Sequence, residues 1–352
     1  MKDIVFEQIS DRNQFTFKDE SGTDFCFEYC PPIEGLWKDL NPTDFDVQLL
    51  IHPFLNNESN IFALESNIKT QRETVGYLFP AAVLDSNNFE AKRSSDNNYL
   101  FVAYKVLLER LHNINESVNS LGACFEENVC VCVLNLRTIG KDQGLWHCIH
   151  SLRKYGYSYF IENNNYKTIE GYTINSYKEL VSGEKIHIDF NIPLMYSDPI
   201  IDEIIRTLPN ADNLVYRFML LYQIIEFLIS KRISKSINDA IETYQSASSC
   251  SENDFLETVN NVRRERSIIN GIIENCGIAS LNCYKEFNIY CKHLYDLVGI
   301  VSQKTDENNL FYSFRNQMIH SFRHLSGFKE ELANTVFYYE QIVLTIVEKN
   351  PL

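Results

Sequence analysis

Phe311-Tyr312-Ser313-Phe314-Arg315-Asn316-Gln317-Met318-Ile319-His320-Ser321-Phe322 sets a cation, a carboxamide and an imidazole on an otherwise apolar, amphipathic pattern. Its reading decides how the C-terminal part of the chain folds. Apolar faces seldom carry three polar groups without a reason, because each must find a partner or stay wet. On a helix Asn316 and His320 are i,i+4 and stack on one face. Arg315 lies about 140° round from His320 at ~100° per residue, within reach of its long side chain. Arg and His together are the smallest set that can cleave RNA without a metal. Imidazole moves a proton near neutral pH, and guanidinium holds a phosphate whose charge grows in the transition state.

Outward from that stretch the spacing predicts more helices. Pro209-Asn210-Ala211-Asp212 is a helix start, and 213–246 is apolar at helical spacing. Ser246-Ala247-Ser248-Ser249-Cys250-Ser251 reads as a loop, 252–274 as a second helix stopped by Gly277, and 279–301 as a third. Thr305-Asp306-Glu307 caps a fourth, which carries Arg315 and His320 and ends at Ser326-Gly327; the last runs over 329–348. Residues 201–352 are therefore expected to form an all-α bundle.

Before about Pro199 the pattern differs. Stretches 3–8, 13–18, 24–29, 46–52, 60–65 and 74–79 alternate Phe, Val and Ile with polar residues between Asp, Asn and Gly turns, as strands do. A long helix is expected over 98–117, then a strand at 129–136, a short helix at 144–155, and strands at 158–162 and 185–191; Asn163-Asn164-Asn165 makes a polar turn. The expectation is an α+β domain over residues 1–200, followed by the helical domain.

The chain has 352 residues, 45% of them hydrophobic, with 23 Phe and 20 Tyr, which suits two folded domains rather than a disordered chain. Its formal charge of −15 argues against a duplex-DNA binder. Residues 1–200 hold 17 Lys and Arg against 28 Asp and Glu, a balance of −11; residues 201–352 hold 15 against 19, a balance of −4. The half with Arg315 is the nearer to neutral. The acidic first domain points to a regulatory role through a protein partner or trigger rather than nucleic-acid contact. No stretch is apolar for the ~18 residues that a membrane helix needs, and Met1-Lys2-Asp3-Ile4 does not open like a signal peptide. The ten cysteines include no C-x-x-C pair, and Cys130 and Cys132 alternate within a strand-like run, so reduced core thiols of a cytoplasmic protein are expected.

Arg315-Asn316-x-x-x-His320 resembles the signature of the HEPN superfamily, an Arg, commonly followed by Asn, and a His four to six residues later. The helix Tyr216-Arg217-Phe218-Met219-Leu220-Leu221-Tyr222-Gln223-Ile224-Ile225-Glu226-Phe227-Leu228 resembles the first long helix of its defence-associated, Apea-like branch, where an acidic residue faces the same cleft. The likeness covers roughly residues 205–350, and residues 1–200 carry no such likeness. It implies a metal- and cofactor-independent endoribonuclease of the toxin or antiphage-defence type, acting on tRNA or mRNA. Such enzymes work as homodimers whose Arg and His residues meet in one composite cleft. His320 would then transfer protons at the ribose 2′-hydroxyl or the leaving oxygen, a step DNA cannot undergo. Arg315 would bind the scissile phosphate, Asn316 would orient His320 or that phosphate, and Glu226 would hold Arg315. In one branch a Tyr two residues after the His receives nucleotides from a partner antitoxin; Ser321-Phe322 follows His320 here, so that control is not expected.

The densest basic groups, Lys231-Arg232-x-x-Lys235 and Arg263-Arg264-Glu265-Arg266, are candidates for an RNA path, as are Arg323 and His324 one turn past His320. Most such clusters are solvated helix faces, and Arg323 and His324 read more simply as cations that suit a helix C-terminus. His320 and His324 have metal-ligand spacing but no Glu and no third donor. His147-Cys148-Ile149-His150 with Cys130 and Cys132 matches no zinc spacing, so no metal is expected. Walker A, G-x-G-x-x-G and G-x-S-x-G motifs do not occur. The competing reading is a non-catalytic module, in which the bundle is a dimerisation or binding platform or an accessory subunit of a defence complex.

Overall fold

Val129-Cys130-Val131-Cys132-Val133-Leu134-Asn135 is apolar at almost every position, as befits a strand covered on both faces. It is the strand β7 (Val129–Asn135) of a sheet ordered β8-β4-β7-β6-β5-β9 in a computed structural model. The structure describes residues 4–9, 12–29, 40–52, 61–68, 71–85, 94–111, 118–160, 172, 185–190, 199–246, 252–253, 256, 264–300 and 310–349. The other members are β4 (Phe45–Ile51), β5 (Phe62–Ile68), β6 (Gln71–Pro80), β8 (Ser158–Tyr159) and β9 (Lys185–His187). All neighbours pair antiparallel except β5 with β9.

Alternation along β7 sorts two cores. Val129, Val131 and Val133 belong to an aromatic cluster shared with α1 (Ser94–Arg110) and a smaller sheet of β1 (Val5–Ile9), β2 (Arg12–Lys18) and β3 (Asp24–Glu28). There Phe15 stacks on Tyr104 with centroids 4.9 Å apart, and Phe15 lies against Phe101 at 5.5 Å. Cys130, Cys132 and Leu134 face the opposite way. They pack with Leu145, Cys148, Ile149 and Leu152 of α3 (Leu145–Lys154), which follows the single turn α2 (Leu136–Ile139). Burial pushes the Cys130, Cys132 and Cys148 thiols up, so they are inert core groups, as their alternation suggests.

Gly76 in β6 lies opposite Leu134, and a Cβ there would come within 2.2 Å of the Val133 carbonyl oxygen. The obstacle is central backbone, which cannot swing aside. Gly76→Ala is expected to lower the stability of the sheet unit by at least about 1–3 kcal/mol. Urea denaturation of the full chain checks it.

The second unit is helical: α4 (Pro199–Thr207), α5 (Leu214–Ser246), α6 (Glu265–Asn275), α7 (Asn282–Val298), α8 (Leu310–His320), α9 (Phe322–Leu325) and α10 (Lys329–Lys349). From Thr335 to Val347 every residue of α10 is buried, so it is the central helix around which the others pack. Asn213 caps α5 through its side-chain oxygen, which accepts from the Val215 and Tyr216 amides at 2.9 and 3.2 Å. Gly277 and Gly299, at φ of 61° and 76°, end α6 and α7 in the left-handed conformation.

Three expectations need correction. The boundary placed at residue 200 lies at Asn191/Ile192, and Lys167–Ser176 groups with the helical unit. Tyr172 is the described residue that shows why. Its hydroxyl donates to Glu340 at 3.1 Å and its ring packs edge-on to Phe337 at 5.2 Å. The helix α4 begins where the first domain was expected to end. The fourth helix does not run on to Ser326, because Ser321 (φ −139°, ψ 22°) breaks it between α8 and α9. The expected turn at 163–165, the loop after Ser246, most of the second helix before Arg264 and the cap at 305–307 lie outside the described residues.

Candidate functional site

The backbone of the site is aromatic. Phe218 of α5 meets Phe314 of α8 edge-on at 5.7 Å and Tyr339 of α10 at 5.1 Å, and Phe311 stacks on Tyr339 at 4.4 Å. Phe287 of α7 closes the cluster against Phe311 and Phe314. These contacts fix the rotation of α8, so the next residue after Phe314 is turned along the edge of the core towards α5.

That residue is Arg315, only 8% exposed. Its Nη2 donates to the Tyr222 hydroxyl and to Glu226 Oε1 at 2.8 Å. Tyr222 and Glu226 are i,i+4 on α5 and so share a face. Nη1 donates to Asn316 Oδ1 at 2.8 Å and lies 3.4 Å from Glu265 Oε2, at the first position of α6. The guanidinium is also 4.8 Å from the Tyr222 ring centroid and 5.8 Å from that of Tyr312. Burial works against the Arg315 charge, but the Glu226 and Tyr222 bonds and the nearby Glu265 outweigh it and raise its pKa above the ordinary value. Burial, with Glu226 as acceptor, pushes the Tyr222 phenol up to about 12, so it stays protonated.

The expected pairing of Arg315 with Glu226 is therefore present. Asn316, expected to orient His320 or a phosphate, instead accepts from Arg315. His320 is the last residue of α8 and is exposed, with no hydrogen bond or ion pair among the described residues. Beyond the break at Ser321, Arg323 and His324 are exposed on α9. Lys231 and Lys235 are exposed and Arg232 half-buried on α5, with the Lys231 ammonium 5.2 Å from the Phe227 ring centroid. Arg264 is exposed immediately before Glu265, and Arg263 lies outside the described residues. No cluster of His, Cys, Asp or Glu among the described residues could hold a metal. The break at Ser321 separates His320 from His324, so their spacing is not that of one helix.

Sequence reasoning missed Tyr222, Tyr312, Glu265 and Tyr339. The Tyr222-x-x-x-Glu226 spacing was open to reading. Glu265 was hidden inside a run taken as basic, Arg263-Arg264-Glu265-Arg266, whose acid is the member that reaches Arg315.

Behind Arg315 two buried polar atoms lack a hydrogen bond among the described residues, Arg315 Nε and the Tyr339 hydroxyl. Burial of Tyr339 raises its pKa, so the phenol stays neutral and carries the cost of an unmade bond. Tyr339→Phe should leave stability unchanged or raise it by up to about 1–3 kcal/mol. A loss of stability in thermal unfolding would show that the hydroxyl is engaged.

A second network lies on the far turn of α5. Arg217 Nε and Nη2 donate to the two oxygens of Glu340 at 2.6 Å each, and Nη1 donates to the Leu208 and Ala211 carbonyls at 2.6 and 3.3 Å. Both side chains are buried. Comparison of the chain with protein-family models, with curated proteins and with solved structures finds no match.

Proposed function

We propose that the helical unit is a metal-independent endoribonuclease with Arg315 and His320 as its working pair, assembled as a homodimer. What supports this most is the contrast along α8. Arg315 is held rigidly by Glu226 and Tyr222, while His320 stands open to solvent five residues on. A preorganised cation and an accessible imidazole on one helix suit phosphodiester chemistry shared between two copies.

In that reaction the ribose 2′-oxygen attacks phosphorus and the 5′-oxygen leaves. The 2′-hydroxyl gives its proton to a base, an acid protonates the leaving oxygen, and the product ends in a 2′,3′-cyclic phosphate. One imidazole cannot be base and acid in the same step. A two-fold assembly would supply the second from another copy. The first unit, being strongly acidic, would restrain or trigger the nuclease by contacting a protein rather than RNA.

The burial of Arg315 against two carboxylates favours a second reading, in which the network is structural and the bundle is a binding or dimerisation module. The test uses the purified full chain with tRNA and mRNA in the presence of a chelator. Cyclic-phosphate fragments that vanish with Arg315→Ala and His320→Ala support the nuclease. Intact RNA under activating conditions, or full cleavage by His320→Ala, overturns it.

A further inference from the structure

Arg315 is over-compensated. One guanidinium faces two carboxylates, Glu226 and Glu265, so the cluster carries a formal charge of −1. A cation neutralised twice would repel an anion rather than bind it. A phosphate can take its place on Arg315 only if one carboxylate leaves.

The two carboxylates are not equivalent. Glu226 makes the closer contact, at 2.8 Å against 3.4 Å, and it also bonds the Tyr222 hydroxyl. It sits in the well-packed half of α5, between buried Ile225 and Leu228. Glu265 is the first residue of α6, after an extended Arg264; the two side chains are equally exposed, at 42% against 40% for Glu226, so they differ in contact and not in exposure. No other hydrogen bond or ion pair holds its carboxylate among the described residues. A longer, partly exposed contact with no second bond adds little stability, so it is readily exchanged. Glu265 lies against Nη1, whereas the bonds to Tyr222 and Glu226 are both made by Nη2, so Nη1 is the atom a phosphate oxygen can take over without breaking the anchor.

We infer that the Glu265 carboxylate occupies the phosphate position on Arg315, and that an RNA phosphodiester binds by displacing it. Glu226 remains as the anchor. The inference rests on the ribonuclease reading and adds a latch to it. Arg264 and Arg266, exposed on either side of Glu265, are placed to meet the backbone as the carboxylate swings out.

The measurement is binding of a 2′-O-methyl RNA oligomer, which cannot be cleaved, by the full chain in fluorescence anisotropy, alongside cleavage of unmodified RNA. Glu265→Gln keeps the shape and removes the charge. It is expected to tighten binding roughly threefold to tenfold at low salt, the effect of one nearby unit charge at a partly exposed site. Cleavage should quicken in step, and the gain should shrink at high salt. Glu274→Gln, an exposed acid of the same helix, should change neither. Adding Arg315→Lys to Glu265→Gln should erase the gain, because the lysine cannot reproduce the guanidinium fork.

Equal binding by Glu265→Gln and Glu274→Gln overturns the latch, even if the wild-type chain cleaves RNA through His320. An Arg315-dependent gain in binding with no cleavage by any variant keeps the latch and removes the nuclease.

Discussion

Arg217→Ala is expected to destabilise the helical unit by about 3–5 kcal/mol, the usual cost of stranding one partner of a buried ion pair. Arg217 and Glu340 are 4% and 2% exposed, and the pair is bidentate at 2.6 Å on both oxygens. Without Arg217, Glu340 keeps only the Tyr172 hydroxyl among its described hydrogen bonds, in the middle of the central helix. At the entry to α5 the Ala211 carbonyl loses the Arg217 donor as well, and the Leu208 carbonyl is left with the Ala211 amide. The loss should appear as a lower midpoint in urea at unchanged slope, followed by far-ultraviolet circular dichroism. Arg217→Met with Glu340→Leu together should recover most of it, because no charge then stays buried. A loss below about 1 kcal/mol in the single variant would show that water reaches the pair.

That pair also marks the limit of what the sequence discloses. The short apolar run of β7 and helical spacing in α5 and α10 are local signals, and strands and helices follow them closely. Whether Glu340 is a solvated helix residue or a core one is not local. It depends on Arg217, 123 residues away in sequence, arriving on the facing helix. Tyr172 is harder still, since nothing nearby in sequence says that it leaves the α+β unit for the helical one. The stop at Ser321 was missed for a different reason. Ser is a weak breaker, and the apolar pattern runs through it to Phe322.

The site divides the same way. Arg315, Asn316 and His320 are visible because they are polar residues on an apolar pattern, and Glu226 only through the resemblance of its helix to one that carries an acidic residue facing such a site. Their roles depend on rotation of α8, which the packing of Phe311 and Phe314 on Tyr339 and Phe287 sets. Rotation is what separates a buried Arg315, held by Glu226 and Tyr222, from an open His320, and it places Asn316 against Arg315.

On the ribonuclease reading, His320→Ala is therefore expected to act on rate alone. Removing a general acid or base costs about 10²–10⁴ in rate, so RNA cleavage should fall by that factor. Stability should move by no more than about 0.5 kcal/mol, because the ring is exposed and has no bonded partner among the described residues. Arg315→Ala should behave differently. It leaves Glu226 and Glu265 facing each other across a hole beside Phe314 and Tyr222, so stability and cleavage should fall together. A structural role for the whole motif predicts the reverse for His320, a change in dimer stability with little change in cleavage. Sedimentation and unfolding measured beside the cleavage rate separate the two. Mixing wild-type chain with His320→Ala chain supplies a further check. A composite site that needs an imidazole from each copy loses activity as the square of the wild-type fraction, whereas a site built within one chain loses it only in proportion to that fraction.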